Sequence, residues 1–147
     1  MSYLFAAPVT NTFKNYSDLP MNLKTIKFGD NFVTSKVTDI SYILYYNTSL
    51  TELDIDDWDV SNVTSMHSAF FNCCNLTTFG ENALANWDTG EVVNMEHAFR
   101  WLKKLTALNL ENWDVSNVKT FSYCFCNGAW TDVLDLEAWD ISHCEDL

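Results

Sequence analysis

One sequence element recurs four times in this chain and limits its fold more than any other feature. It reads Trp58-Asp59-Val60-Ser61-Asn62-Val63, Trp87-Asp88-Thr89-Gly90-Glu91-Val92, Trp113-Asp114-Val115-Ser116-Asn117-Val118 and Trp139-Asp140-Ile141-Ser142. The tryptophans stand 29, 26 and 26 residues apart. A fixed period of this length belongs to stacked units, each too small to bury its own apolar side and completed by its neighbours. A second set of apolar positions travels with the first, at offsets of 8, 12 and 18 from each tryptophan: Met66, Phe70 and Leu76, then Met95, Phe99 and Leu105, then Phe121 and Phe125. Projected backwards, the rule selects Phe32, Ile40, Leu44 and Leu50, and more weakly Phe5, Phe13 and Leu23.

The expected architecture is therefore a single solenoid domain over residues 1–147 with about five 26-residue coils. Residues 1–31 would be a degenerate N-terminal cap or first coil, 32–138 four coils, and 139–147 an incomplete last coil. Before each tryptophan the chain alternates, as in Leu53-Asp54-Ile55, Leu108-Asn109-Leu110, Leu134-Asp135-Leu136 and, more loosely, Ile26-Lys27-Phe28. Period-two alternation predicts short parallel strands with an inward apolar ladder and an outward polar row. After each tryptophan the apolar residues stand four apart (Met66 and Phe70, Met95 and Phe99, Phe121 and Phe125), which predicts a short helical segment. Gly80-Glu81-Asn82 reads as a three-residue bulge. The fold class expected on these grounds is α/β.

Composition narrows the function. With 147 residues, 48% hydrophobic and 15% aromatic, the chain has ample material for a core. Its 20 acidic and 8 basic residues give a formal net charge of −12, which opposes nucleic acid as a partner because phosphate binding needs the opposite field. No apolar run is long enough to insert in a membrane, and the N-terminal residues show neither a basic n-region nor a long apolar h-region. Five cysteines, two of them adjacent at Cys73-Cys74, do not make an even, dispersed set, so reduced thiols are expected.

The long motif over residues 53–70, and again over 108–125, resembles the bacterial surface protein 26-residue repeat, the BspA-like leucine-rich repeats of mycoplasma lipoproteins. That pattern is Leu-x-Leu, Trp-Asp-Val-Ser-Asn-Val-Thr, then Met-x-x-x-Phe. The resemblance implies a right-handed, leucine-rich-repeat-like solenoid that binds proteins or host surfaces without catalysis. It also implies display at the cell surface, although members ordinarily carry a signal or lipid-attachment segment and more repeats. A virus or phage particle component, or a part of another assembly, is the alternative.

Several residue sets could carry function. Asp59, Asp88, Asp114 and Asp140 would stack in a column, where each carboxylate is expected to accept from its own turn as an Asx cap; a calcium-binding ladder is the other reading. Trp58, Trp87, Trp113 and Trp139 read as core. Glu52, Asp54, Asp56, Asp57, Asn109, Glu111, Asp135 and Glu137 fall on or beside the strands and make a candidate acidic binding face, or a merely solvated one. Tyr45, Tyr46, Phe71, Arg100 and Trp101 follow the inward Leu44, Phe70 and Phe99, so they should meet as an aromatic rim, with Lys103 and Lys104 beside it. His67 and His97 with Cys73 or Cys74 give only a faint zinc pattern, and no catalytic triad or phosphate loop is evident. The expectation is a non-enzyme with no cofactor and no metal, whose partner is a protein at a host surface or in an assembly.

Overall fold

The computed structural model describes residues 22–29, 31–131 and 134–147. The expected cap positions Phe5 and Phe13 lie outside the described residues. Successive repeats lie side by side in chain order, joined by parallel bridges from Asp39 to Ser65, Ser65 to Asn94, Asn94 to Thr120 and Thr120 to Asp146. The short C-terminal segment thus forms a rung of its own: Phe121 donates to the Asp146 carbonyl, while Glu145 and Asp146 donate back to Lys119.

Two stacked aromatic columns run through the core. The indoles of Trp58 and Trp87 lie 6.4 Å apart and 4° from parallel, and those of Trp87 and Trp113 lie 6.1 Å and 11° apart. Beside them Phe70, Phe99 and Phe125 stack at 5.6 and 5.9 Å. Rings at an equivalent position of each repeat meet because the repeats share one register, and each covers the face of the next. Two indoles are also anchored: Trp113 Nε1 donates to the Leu84 carbonyl at 2.6 Å and Trp139 Nε1 to the Leu110 carbonyl at 3.3 Å.

The strands are shorter than the alternation predicts. β1 (Thr25–Ile26) pairs in parallel with β2 (Glu52–Leu53), and Glu52 bridges onward to Thr78. Inward Ile26, Leu53 and Ile55 are buried while Thr25, Glu52 and Asp54 face solvent. Residues 108–110 keep that in-out alternation yet form no ladder, nor do 134–136. The expected bulge explains the break. Gly80 takes a φ of 112°, a Cβ there would collide with the Asp56 carboxylate, and the chain then runs into a single 3-10 turn, Leu84–Asn86. Asp56 holds this detour, accepting from the amides of Glu81 and Asn82 at 3.2 Å each.

The expected helical segments are not helices. Residues 66–72 form two consecutive turns, closed by Ala69 donating to Met66 and Cys73 to Phe70. The intervening amides point along the stack: Met66, Ser68, Phe70 and Asn72 donate to the carbonyls of Asn94, Glu96, Ala98 and Arg100 in the next repeat, at 2.9 to 3.0 Å. The third residue of each turn has positive φ, as turns of this shape require. Tyr42, Ser68, His97 and Tyr123 occupy one such column, and Tyr46, Asn72, Trp101 and Asn127 the other, with φ between 53° and 66°. Side chains four apart share a face in this chain of turns as they would in a helix, so the apolar spacing does not distinguish them.

The two backbones make opposite demands at an exposed site such as Asn127. In a helix Ala exceeds Gly by about 1 kcal/mol, whereas at positive φ Gly exceeds Ala by a similar amount. Urea denaturation is therefore expected to rank Asn127→Gly above Asn127→Ala by about 1 kcal/mol; the reverse order would restore the helix.

Candidate functional site

The aspartate corners are built as caps. Asp59 Oδ1 accepts from the Ser61 amide at 3.0 Å and its hydroxyl at 2.6 Å, and Asp114 does the same with Ser116 at 3.0 and 2.7 Å. Asp140 takes the Ser142 amide at 3.0 Å, and Asp88 the Gly90 amide at 3.3 Å. The Ser61 hydroxyl and amide hold the Asp59 carboxyl below its ordinary range, and the amides and hydroxyls of Ser116 and Ser142 do so for Asp114 and Asp140. The following asparagine then clamps the stack: Asn62 Nδ2 donates to Ser35 O at 3.0 Å and Asn117 Nδ2 to Gly90 O at 2.7 Å. Among the described residues no three His, Cys, Asp or Glu side chains converge as metal ligands. Cys73 and Cys124 are buried, and burial pushes both thiols up to about 12, which leaves them unreactive.

The acidic row is exposed but partly occupied by its own backbone. Asp54 accepts from the Asp56 amide at 3.2 Å and Asp135 from the Glu137 amide at 3.1 Å, while Asp56 carries the detour at Glu81 and Asn82. Glu52, Asp57, Asn109, Glu111 and Glu137 face solvent. Because among the described residues the ladder stops after Thr78, the described part of this surface is not one continuous strand face.

The rim residues do come together. Tyr45 stacks on Phe71 at 5.1 Å and 21°, Phe71 stacks on Trp101 at 6.0 Å and 24°, and Tyr46 reaches Phe71 at 5.4 Å. Tyr46 is buried and the other four are half-buried, and Tyr46 with Tyr45 and Phe71 makes a second small apolar cluster outside the main core. Arg100 lies over three of its rings, with the guanidinium carbon 5.6 Å from Phe71, 5.7 Å from Trp101 and 4.8 Å from Tyr123. Lys103 Nζ approaches Trp101 at 5.4 Å. Contacts of this kind contribute about 0.5–1 kcal/mol each at exposed sites.

Five further side chains, not assigned to the rim on sequence grounds, extend it. Tyr42 meets Tyr45 at 5.4 Å and His67 at 4.9 Å, and His97 lies 5.8 Å from Phe71 and 5.2 Å from Tyr123. Glu96 sits between the two imidazoles, 3.3 Å from His67 Nδ1 and 3.5 Å from His97 Nε2, and Arg100 Nη1 is 3.4 Å from His97 Nδ1. Their signal in the sequence was the repeat register, which places His67 against Glu96 and Ser68 against His97; their polar character hid it. The result is a strip of aromatic and cationic groups across four repeats, in a chain of net charge −12.

The fold and this strip define a class: a chain of short repeats laid edge to edge, whose repeated residues build the frame and whose variable residues build the surface. A family model described as "Mycoplasma protein of unknown function, DUF285" matches residues 8–78 and again 74–147, and the chain belongs to that family. No curated protein and no solved structure matches it. Among the described residues no helix is long and apolar enough to cross a membrane.

Partial burial lowers the His97 pKa, and Arg100 and His67 add to that against the opposing pull of Glu96. A lowered imidazole pKa means that the unfolded chain binds the proton more readily. The stability contribution is thus present above the unfolded value of about 6.5 and is lost as pH falls through it. The urea midpoint is expected to drop between pH 7.5 and 5.5, and His97→Gln to flatten that slope; an unchanged slope in the variant would remove His97 as its origin.

Proposed function

We propose that this chain is a non-enzymatic repeat scaffold that recognises another macromolecule, a protein, in the manner of a surface or adhesion module. In this reading the edge-to-edge repeats form a right-handed, leucine-rich-repeat-like solenoid of the BspA-like kind. The observation that carries it is the aromatic and cationic rim, where Tyr45, Phe71, Arg100 and Trp101 from neighbouring repeats form one strip outside the core. Aromatic residues and arginine concentrate binding energy at protein interfaces, and a rigid frame presents them at little entropic cost. Their faces are stacked on one another and under the guanidinium, which leaves the ring edges as the free part of each aromatic. The edges carry the positive side of the ring quadrupole, which suits carbonyl and carboxylate groups of a protein partner.

The acidic row is the weaker candidate, since Asp54 and Asp135 each hold a local amide, Asp56 holds two of the next repeat, and the row is interrupted. The two surfaces separate by substitution. With the partner captured from an extract on immobilised full-length protein, Tyr123→Ser with Arg100→Gln is expected to reduce capture at least about tenfold, as loss of one hot-spot residue does. Asp54→Lys with Glu111→Lys and Asp135→Lys is expected to leave capture within about twofold, as rim charges outside the contact do. Circular dichroism establishes that both variants fold, and equal capture by both would overturn the assignment to the rim.

A further inference from the structure

The unit that begins at Phe32 keeps the register of the tryptophan column but not its residues. Phe32 stands where the later units carry an indole, its ring 5.9 Å from Trp58 and tilted by 32°, and Val33 stands where they carry the corner aspartate. A phenyl ring is smaller than an indole, so this step of the column does not fill its layer. Between the two units lies a cavity of about 480 Å³, within the size range of small-molecule sites. Part of its wall is aromatic: Phe28 and Phe32 lie 4.3 Å apart, and Phe28 lies 5.2 Å from Trp58. The rest carries Asp54, Asp57 and Asp59, and Val33, 71% exposed, opens the wall to solvent.

Two features of this wall are unsatisfied. None of the three carboxylates has a cationic partner among the described residues. The second is an indole donor. Trp113 and Trp139 each pass their indole N–H to the carbonyl 29 residues earlier, and for Trp58 that carbonyl belongs to Gly29, which lines the cavity. Gly29 O receives the Phe32 amide instead, and Trp58 Nε1, on a residue only 5% exposed, has no acceptor. Trp87 Nε1 is unpaired as well, but Trp87 is not part of this wall.

Uncompensated negative charge beside aromatic rings favours a cation, which both the carboxylates and the ring faces attract. A compact primary ammonium needs several directed acceptors, whereas the Oδ1 atoms of Asp54 and Asp59 already accept from the Asp56 amide and from Ser61. An alkylated ammonium needs only opposite charge and apolar contact. An oxygen carried close to it supplies the acceptor that Trp58 lacks.

We propose that this cavity binds a quaternary ammonium bearing an oxygen function, the chemistry of choline, either free or as a lipid headgroup. The methyl groups lie against the aromatic wall, the charge faces Asp57 and Asp59, and the oxygen accepts from Trp58 Nε1. The site is separate from the rim and does not depend on the protein partner assigned to it.

Choline chloride titrated into the full chain is expected to bind saturably and to move the Trp58 indole N–H resonance, with those of Trp113 and Trp139 unmoved. The neutral tert-butyl analogue of choline, with carbon in place of nitrogen, keeps the shape and loses the charge; it is expected to bind at least about tenfold more weakly. Asp57→Asn alters no contact of the frame and is expected to weaken choline at least about threefold, and Phe32→Leu at least about tenfold. Should Phe32→Leu fail to fold by circular dichroism, the neutral analogue and Asp57→Asn still decide. Flotation with phosphatidylcholine vesicles but not with phosphatidylglycerol vesicles assigns the site to a headgroup, and choline binding without flotation assigns it to the free cation. An unmoved Trp58 resonance, equal binding of the neutral analogue, or equal flotation with both lipids would overturn the proposal.

Discussion

Half of the main-chain amides in each turn segment can be satisfied only by the neighbouring repeat. Ala69 and Cys73 close turns within their own repeat, but Met66, Ser68, Phe70 and Asn72 point along the stack and bond to the next one. That arrangement forces positive φ on two residues per repeat, eight among the described residues, none of them glycine. Each costs roughly 1 kcal/mol or more. A repeat alone would carry that cost with its donors exposed. Where a next repeat follows, these donors are bonded to it, and Met66, Phe70, Met95 and Phe99 are covered, at about 2 kcal/mol or more per buried side chain. The conformation is thus stable only as a series, which is why the motif cannot occur singly.

The same constraint explains which sequence features could be read correctly. The tryptophan and phenylalanine columns follow from the period, because equivalent residues in equal-length units must meet. The aspartate caps follow from Asp-x-Ser, a local pattern with its own hydrogen bonds. The rim at Tyr45, Phe71, Arg100 and Trp101 follows from position relative to the inward residues. The turn conformation was not legible, since residues four apart share a face in a helix and in a pair of linked turns alike. Only Asn72, Asn127 and His97 among the eight residues of positive φ carry any compositional hint of it. The strands at 108–110 and 134–136 failed for a different reason: their alternation is intact, but pairing depends on what lies beside them. The detour through Leu84–Asn86 changes what lies beside 108–110, and 134–136 neighbours that unpaired segment in turn.

Asp56 shows how a residue can be placed correctly and its role still be missed. Alternation puts it beside the strand, and acidity marks it as a candidate contact. In the structure its carboxylate spans to the amides of Glu81 and Asn82, 25 and 26 residues away. A three-residue insertion brings unpaired amides with it, and a carboxylate at the preceding repeat is the economical acceptor. The negative charge is used inside the chain before any partner is met.

A repeat frame leaves few positions free to differ. Tryptophan, aspartate and the inward Met or Phe hold equivalent positions at each step, and serine and asparagine add their contacts in the Trp58 and Trp113 units. Two surfaces are less bound by the frame: the strand-facing row and the residues just after the inward phenylalanines. In the first of these the side chains are short, acidic and partly tied to their own amides. In the second they are large, mutually stacked and crossed by an arginine that, among the described residues, has no carboxylate partner. The guanidinium is held over three rings, with Nη1 3.4 Å from His97 Nδ1, so its orientation is already fixed. The acidic row keeps like charges apart and solvated, whereas the rim brings unlike groups together at the surface. That difference is why recognition is assigned to the rim and the acidic row is read as the solvated side of the frame.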